Sequence, residues 1–228
     1  NLIKLSVFII GIILISILLI SCQSLSDGTD PFPLPNLDFR QEMRDFVISL
    51  SDYSKNIDSN FIIIPQNGQE LVSFSYEPGG PIATNYISAI DGTGREDLYY
   101  GYTADNVATP INENEYMLSY LDKFETEGIE VLTIDYCSTE NYMLNSYTSN
   151  NSKGYISFAA DQRNLNNIPD YPADLYNISS DDIDDLSQAK NFLYLINSEN
   201  FILPQGFIDT VKLTNYDVII MDLFHNEE

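Results

Sequence analysis

The stretch ISAIDGTGREDLYYGY, Ile87 to Tyr102, sets Arg95, Glu96 and Asp97 between a glycine-rich turn and two tyrosines. A loop that only reverses the chain needs small polar residues. Ionisable groups and aromatic rings point instead to binding. Spacing alone equally allows a loop ion pair with Arg95 or a helix-capping carboxylate. Other apolar runs also close on polar side chains: Gln66 and Asn67, Asp91, Asp135 and Tyr136, Asp161, and Asp222. Several chemistries are disfavoured. His225 is the single histidine, so a Ser-His-Asp arrangement needs another part of the protein to supply a second. The acidic run SSDDIDDLS lacks the spaced ligands and glycine of an EF-hand loop and reads as the negatively charged start of a helix. No GxGxxG follows the first strand and no Walker loop occurs. Neither a metal nor a cofactor is expected.

The chain has 34 acidic and 10 basic residues, for a net charge of −24. A phosphate backbone is held by clustered Lys and Arg, and here they are few and scattered, so nucleic acid is excluded and the favoured partners are neutral or cationic. With 16 Tyr, 12 Phe and 44% hydrophobic residues, the chain can build a sizeable core, so its acidity does not mark a disordered tail. Solubility or a salty habitat explains the same charge.

Residues 1–22 place Lys4 before a long apolar run that ends in Leu19-Ile20-Ser21-Cys22. This reads as a targeting segment. Its last four residues resemble the lipobox of bacterial lipoproteins, which implies cleavage before Cys22, lipid on its sulfur, and a mature protein anchored to a membrane outside the cytoplasm. An uncleaved membrane helix is the alternative. With Cys22 lipidated, Cys137 is left without an internal disulfide partner and no Cys-based metal site forms. Residues 23–36 are polar and proline-rich, as a tether should be, and the domain is expected over 37–228.

Within that domain Met43, Phe46, Val47, Leu50 and Ile57 recur at helical spacing before the apolar run FIIIPQNG. YISAIDG, a helix over Glu113–Glu127, EVLTIDYC, GYISFAA, NFLYLIN and YDVIIMDLF follow, with further helices near Ser180–Ala189 and Gln205–Leu213. Continuous apolar strands alternating with amphipathic helices predict an α/β class with a parallel sheet covered on both faces. Polar groups at strand carboxyl ends suit the active face of a (β/α)8 barrel or the crevice of an open doubly wound sheet.

Taken together, IIIPQNG, ISAIDGTGREDLYYGY, VLTIDYCS, GYISFAADQRNLNNIP and YDVIIMDLF resemble one family, the endo-α-1,4-polygalactosaminidase-like barrels of glycoside hydrolase family 114, from about Phe39 onward. The resemblance implies a (β/α)8 TIM-barrel fold, here in circularly permuted order with about six βα units. It also implies secretion and hydrolysis of galactosamine-containing exopolysaccharide. Such hydrolysis uses two carboxyl groups, about 5–5.5 Å apart for retention and about 6.5–9.5 Å for inversion. Glu96 matches the family's catalytic glutamate after its sixth strand. The partner aspartate follows a fourth strand that this chain does not contain, and is expected beyond Glu228. Asp135 matches an acidic residue that orients sugar hydroxyls or an amine. Asp222 matches a second-strand aspartate and Asn67 a fifth-strand asparagine. Tyr136 stands where it can stack on a sugar, and Arg163 where it can pair with a site carboxylate. Deacetylated galactosamine polymers are cationic, so an anionic cleft would concentrate them. The alternative is a lipoprotein that binds polysaccharide without cutting it.

Overall fold

The computed structural model describes residues 37–172, 174–179, 183–197, 200 and 204–222. The expected targeting segment with Cys22, the expected tether and His225 lie outside the described residues, as does part of the acidic run. The chain divides into Asn1–Phe39 and Arg40–Glu228, and the elements below belong to the second unit apart from the first residue of α1. Among the described residues no helix is long and apolar enough to cross a membrane.

Helix α1 (Phe39–Ile57) turns an unexpected face inward. Its buried residues are Arg44, Val47 and Ser51, whereas Met43, Phe46, Leu50 and Ile57 of the expected apolar stripe are 49%, 62%, 44% and 71% exposed. Hydrogen bonding accounts for the choice. The irregular segment after α1 leaves carbonyls in the interior that need donors. Arg44 supplies them: Nε donates to the Leu71 carbonyl at 2.9 Å and Nη2 to that of Ser73 at 2.8 Å. Its guanidinium also lies over the rings of Tyr76 and Phe74, and the Ser51 hydroxyl donates to the Ala89 carbonyl at 2.6 Å. Arg44→Met should therefore cost about 2–4 kcal/mol of unfolding free energy, because two buried carbonyls lose their donors. Arg44→Lys should recover only part, since an ammonium lacks the fork. Urea unfolding of both variants tests this.

The 61–67 run, expected as the first strand, passes beside β1 (Gly92–Glu96) but pairs through one parallel bridge, Gln66 with Gly94. Pro65 has no N–H to give a ladder, although its carbonyl accepts from Gly94 at 2.8 Å. The apolar run YISAI is not the next strand. Thr84–Ile87 forms the short helix α2, and the extended residues are GTGRE. The close approach suits glycine: a Cβ on Gly94 would meet the Gln66 side-chain oxygen, and the glutamine would have to move. Asp91 therefore sits at the amino end of the strand, where it accepts from the Ile63 amide at 2.7 Å and pairs with Lys55 at 2.8 Å.

Helix α3 (Ile111–Thr126) falls where its periodicity predicts, and buries Met117, Tyr120, Leu121 and Phe124. It leads into β2 (Glu130–Tyr136), and α4 (Glu140–Asn151) joins β2 to β3 (Ile156–Ala160). The three strands form one parallel sheet in the order β1-β2-β3. A second parallel sheet pairs β4 (Phe192–Leu195) with β5 (Val218–Met221), joined through α5 (Pro204–Val211). Val131 packs into a core with Val47 and the α3 side chains, while Leu132, Ile134, Ile156 and Phe158 share a second core with Phe192 and Leu193.

These findings overturn the (β/α)8 expectation. Among the described residues there are five strands in two separate parallel sheets, of three and two strands, and not six βα units of a TIM barrel in permuted order. The 61–67 run contributes only a bridge, YISAI enters the end of α2 and the turn after it instead of a strand, and no ladder joins β3 to β4. The architecture is mixed α/β with two small parallel sheets.

Candidate functional site

Because β1, β2 and β3 run parallel, their carboxyl ends share one end of the sheet. Glu96 is the last residue of β1, on the strand itself rather than in a loop beyond it. Register places Glu96 opposite Ile134, so Tyr136 lies diagonally on the same face, within reach of a long side chain. The Tyr136 hydroxyl donates to Glu96 Oε1 at 2.5 Å. Asn67 closes the other side: its Nδ2 donates to Glu96 Oε2 at 3.4 Å, and its Oδ1 accepts from the Glu96 amide at 3.3 Å. Burial, followed by the hydrogen bond to Glu96, pushes the Tyr136 phenol above its ordinary range, so Tyr136 remains a donor. Asn67 and Asp97, the neighbours of Glu96 on two sides, both have φ of 60°. That left-handed conformation is one that Asn and Asp tolerate better than most residues.

Arg163 lies over this pair, its guanidinium carbon 3.8 Å from the centroid of the Tyr136 ring. It pairs with Asp97 at 3.0 Å and Asp105 at 2.7 Å, and donates to the Gly101 carbonyl at 2.9 Å. Burial raises the Asp97 carboxyl pKa although Arg163 opposes the shift. Gly101 has φ of 115°, and a Cβ there would collide with the Asp97 carboxylate. The turn that seats Arg163 against Asp97 thus requires glycine.

Asp135 occupies the opposite face of β2 and is fully buried. It accepts from the amides of Tyr99 and Tyr100 at 2.7 and 3.1 Å, from the Ser146 hydroxyl at 2.5 Å, and from Asn150 Nδ2 at 3.2 Å. Its carboxylate joins the 97–101 segment to α4. Asp222 follows Met221 at the carboxyl end of β5, in the other sheet. The structure therefore sets Asn67 and Tyr136 on the Glu96 carboxylate and Arg163 over the Tyr136 ring, places Asp135 beneath the loop that borders them, and leaves Asp222 beside a different sheet.

Asp97 stood out in the sequence beside Arg95 and Glu96, whereas Asp105, Gly101 and the Ser146–Asn150 pair had no sequence signal beyond being polar or small. The Tyr194 phenol is raised by burial and then by the charge of Glu96, which brings β4 into the electrostatic surroundings of the site. Two clefts of about 320 Å³ lie elsewhere. One opens at the amino ends of β1 and β2 beside Asp91 and Glu130, and the other lies between Ile168–Ile178 and Leu213–Tyr216. Neither includes a residue of the Glu96 group. Among the described residues no cluster of three or more His, Cys, Asp or Glu could hold a metal.

No protein-family profile matches the chain. It is similar to an uncharacterized protein of Methanocaldococcus jannaschii, 33% identical over 128 residues that cover 53% of this chain and 34% of that protein. An uncharacterized protein of Thermotoga maritima is 30% identical over 129 residues, covering 53% and 36%. One of Deinococcus radiodurans is 26% identical over 123 residues, covering 54% and 36%. The matched stretch spans about a third of the length of these curated relatives.

Proposed function

We propose that the Glu96 group is a saccharide site, and that the chain acts outside the cytoplasm on galactosamine-containing polysaccharide by carboxylate chemistry, as its motifs' resemblance to glycoside hydrolase family 114 implies. The observation that carries this reading is the held carboxylate itself. Glu96 stands at the carboxyl end of a buried parallel strand, with a phenol on one oxygen and an amide on the other. Fixing a carboxylate in this way before substrate arrives lowers the cost of orienting it in the reaction. Asn67 and Tyr136 position Glu96 and offer hydrogen bonds to sugar hydroxyls, while Arg163 holds the rim together with Asp97. Asp135 acts through the 97–101 segment rather than on the sugar. Asp222 is a further candidate for contact with a longer polymer. Hydrolysis requires a second carboxyl group; Asp97, next to Glu96 in the chain, is paired with Arg163 at the rim.

The second reading is binding without cleavage, favoured by the same engagement of both Glu96 oxygens. In either case the anionic chain attracts an amine-bearing polymer, and that attraction weakens as salt screens it. The full chain should bind partly deacetylated polygalactosamine, measured by calorimetry, with affinity that falls steeply between low and high salt. Binding of the fully acetylated polymer should change little with salt. Equal salt response for the two polymers would sink the electrostatic part of the proposal, and no binding to either would sink the substrate class.

A further inference from the structure

The apolar residues that α1 leaves outside follow a strict order. Phe39, Met43, Phe46, Leu50, Tyr53 and Ile57 alternate in steps of four and three, and their exposures run from 44% for Leu50 to 72% for Phe39. At 3.6 residues per turn they fall within an arc of about 80°. The inward face of Arg44, Val47 and Ser51 lies to one side of that arc. A seam this narrow is the spacing of a coiled-coil contact, and a membrane-surface helix instead presents a wider apolar stripe. Membrane-surface helices are also rich in Lys and Arg on the polar face. On α1 the basic residues Arg40, Arg44 and Lys55 are matched by the acidic Glu42, Asp45 and Asp52, so three charges cancel three. In a chain of net charge −24, this helix carries none.

We infer that the exposed seam of α1 is a self-association surface, occupied by α1 of a second copy of this chain running antiparallel. Side-chain size supports the orientation. A two-fold axis at Ile48 sets Met43 against the partner's Tyr53, Phe46 against the partner's Leu50, and Phe39 against the partner's Ile57. Every layer then joins one aromatic to one aliphatic side chain. A parallel pair would stack Phe46 on its own copy and Tyr53 on its own copy, overfilling those layers and leaving the Leu50 layer thin. The flanking positions beside the axis are Ser49 and Val47, so no like charges meet. The area is also sufficient. Phe39, Phe46 and Tyr53 are 72%, 62% and 67% exposed, and burying such rings hides about 300–500 Å² per copy. Adding Met43, Leu50 and Ile57 brings the pair toward the ~1,200 Å² of a stable interface.

Cross-linking of the full chain in a mild non-ionic detergent tests this, with Cys22→Ser as the background. Ser49 lies beside the axis, so Ser49→Cys should form an intermolecular disulfide under mild oxidation. Asp58→Cys, at the helix end, should not, because antiparallel packing sets the two copies of that position far apart. Adding Leu50→Glu should slow the Ser49→Cys reaction by about 10²-fold, tenfold for each carboxylate forced into the seam. It should leave the thermal transition in place, since Leu50 is exposed in the single chain. Three results would overturn the inference: a Ser49→Cys rate no faster than that of Asp122→Cys on α3, a rate unchanged by Leu50→Glu, or faster linking through Asp58→Cys. Loss of vesicle binding in Leu50→Glu with the Ser49→Cys rate intact would assign the seam to a membrane instead.

Discussion

Asp135→Ala should lower the unfolding free energy by about 3–5 kcal/mol, because it strands several buried donors at once. The carboxylate is wholly buried and serves the amides of Tyr99 and Tyr100, the Ser146 hydroxyl and the Asn150 amide. Asp135→Asn should cost much less, about 1–2 kcal/mol. Its carbonyl still accepts from the Tyr99 and Tyr100 amides. Its new amide faces the Ser146 hydroxyl, which can rotate to accept. The pH dependence separates the two carboxyl states. Burial raises the Asp135 pKa against the opposing pull of Ser146 and the amides. An acid with a raised folded pKa holds its proton more tightly when folded. Its contribution is thus full below the unfolded value of about 3.9 and is lost as pH rises through the folded value. The advantage of wild type over Asp135→Asn should therefore shrink with rising pH. Urea unfolding at several pH values measures this, and a gap that widens with pH would contradict the assignment.

The elements that the sequence made legible were those where pattern and backbone need agree. EVLTIDYC, GYISFAA, NFLYLIN and YDVIIMDLF contain β2 to β5, and α3 lies where Met117, Tyr120, Leu121 and Phe124 predict it. Hydrophobicity misled where hydrogen bonding outweighed it. In YISAIDGTGRE the apolar residues coil into α2 and its exit, and the glycine-containing GTGRE pairs with β2, with Gln66 and Leu132 occupying the space a Cβ on Gly94 or Gly92 would take. On α1 a buried arginine displaced the apolar stripe because interior carbonyls required a fork of donors. The expected barrel needed a continuous ladder through about six strands; among the described residues Pro65 and the shifted β1 leave the 61–67 run with a single bridge, and no ladder joins β3 to β4. Asn67, Glu96, Tyr136 and Arg163 were legible as polar groups at strand ends, and the structure brings these four together. That Asp135 faces away from them follows from strand alternation, which places it on the side opposite Tyr136. Its engagement by Ser146 and Asn150 required the position of α4.

The second large effect concerns Glu96. Glu96→Gln preserves size and can still accept from the Tyr136 hydroxyl, but it removes the charge that a nucleophile or base needs. Acid–base and nucleophilic roles of this kind contribute on the order of 10²–10⁴ in rate. Asp122→Asn serves as the control: Asp122 meets Lys153 and Tyr155 at the amino end of β3, away from the site. Half-exposed ion pairs of that sort contribute about 1 kcal/mol.

The most direct test is the rate at which the full chain and these two variants release reducing ends from partly deacetylated polygalactosamine. The account predicts measurable release by wild type and Asp122→Asn. It predicts a fall of about 10² or more in Glu96→Gln, with polymer binding and the unfolding transition retained. Release by Glu96→Gln at the wild-type rate would contradict the role of Glu96, and tight binding by wild type with no release would leave the site a binding site and remove the hydrolysis.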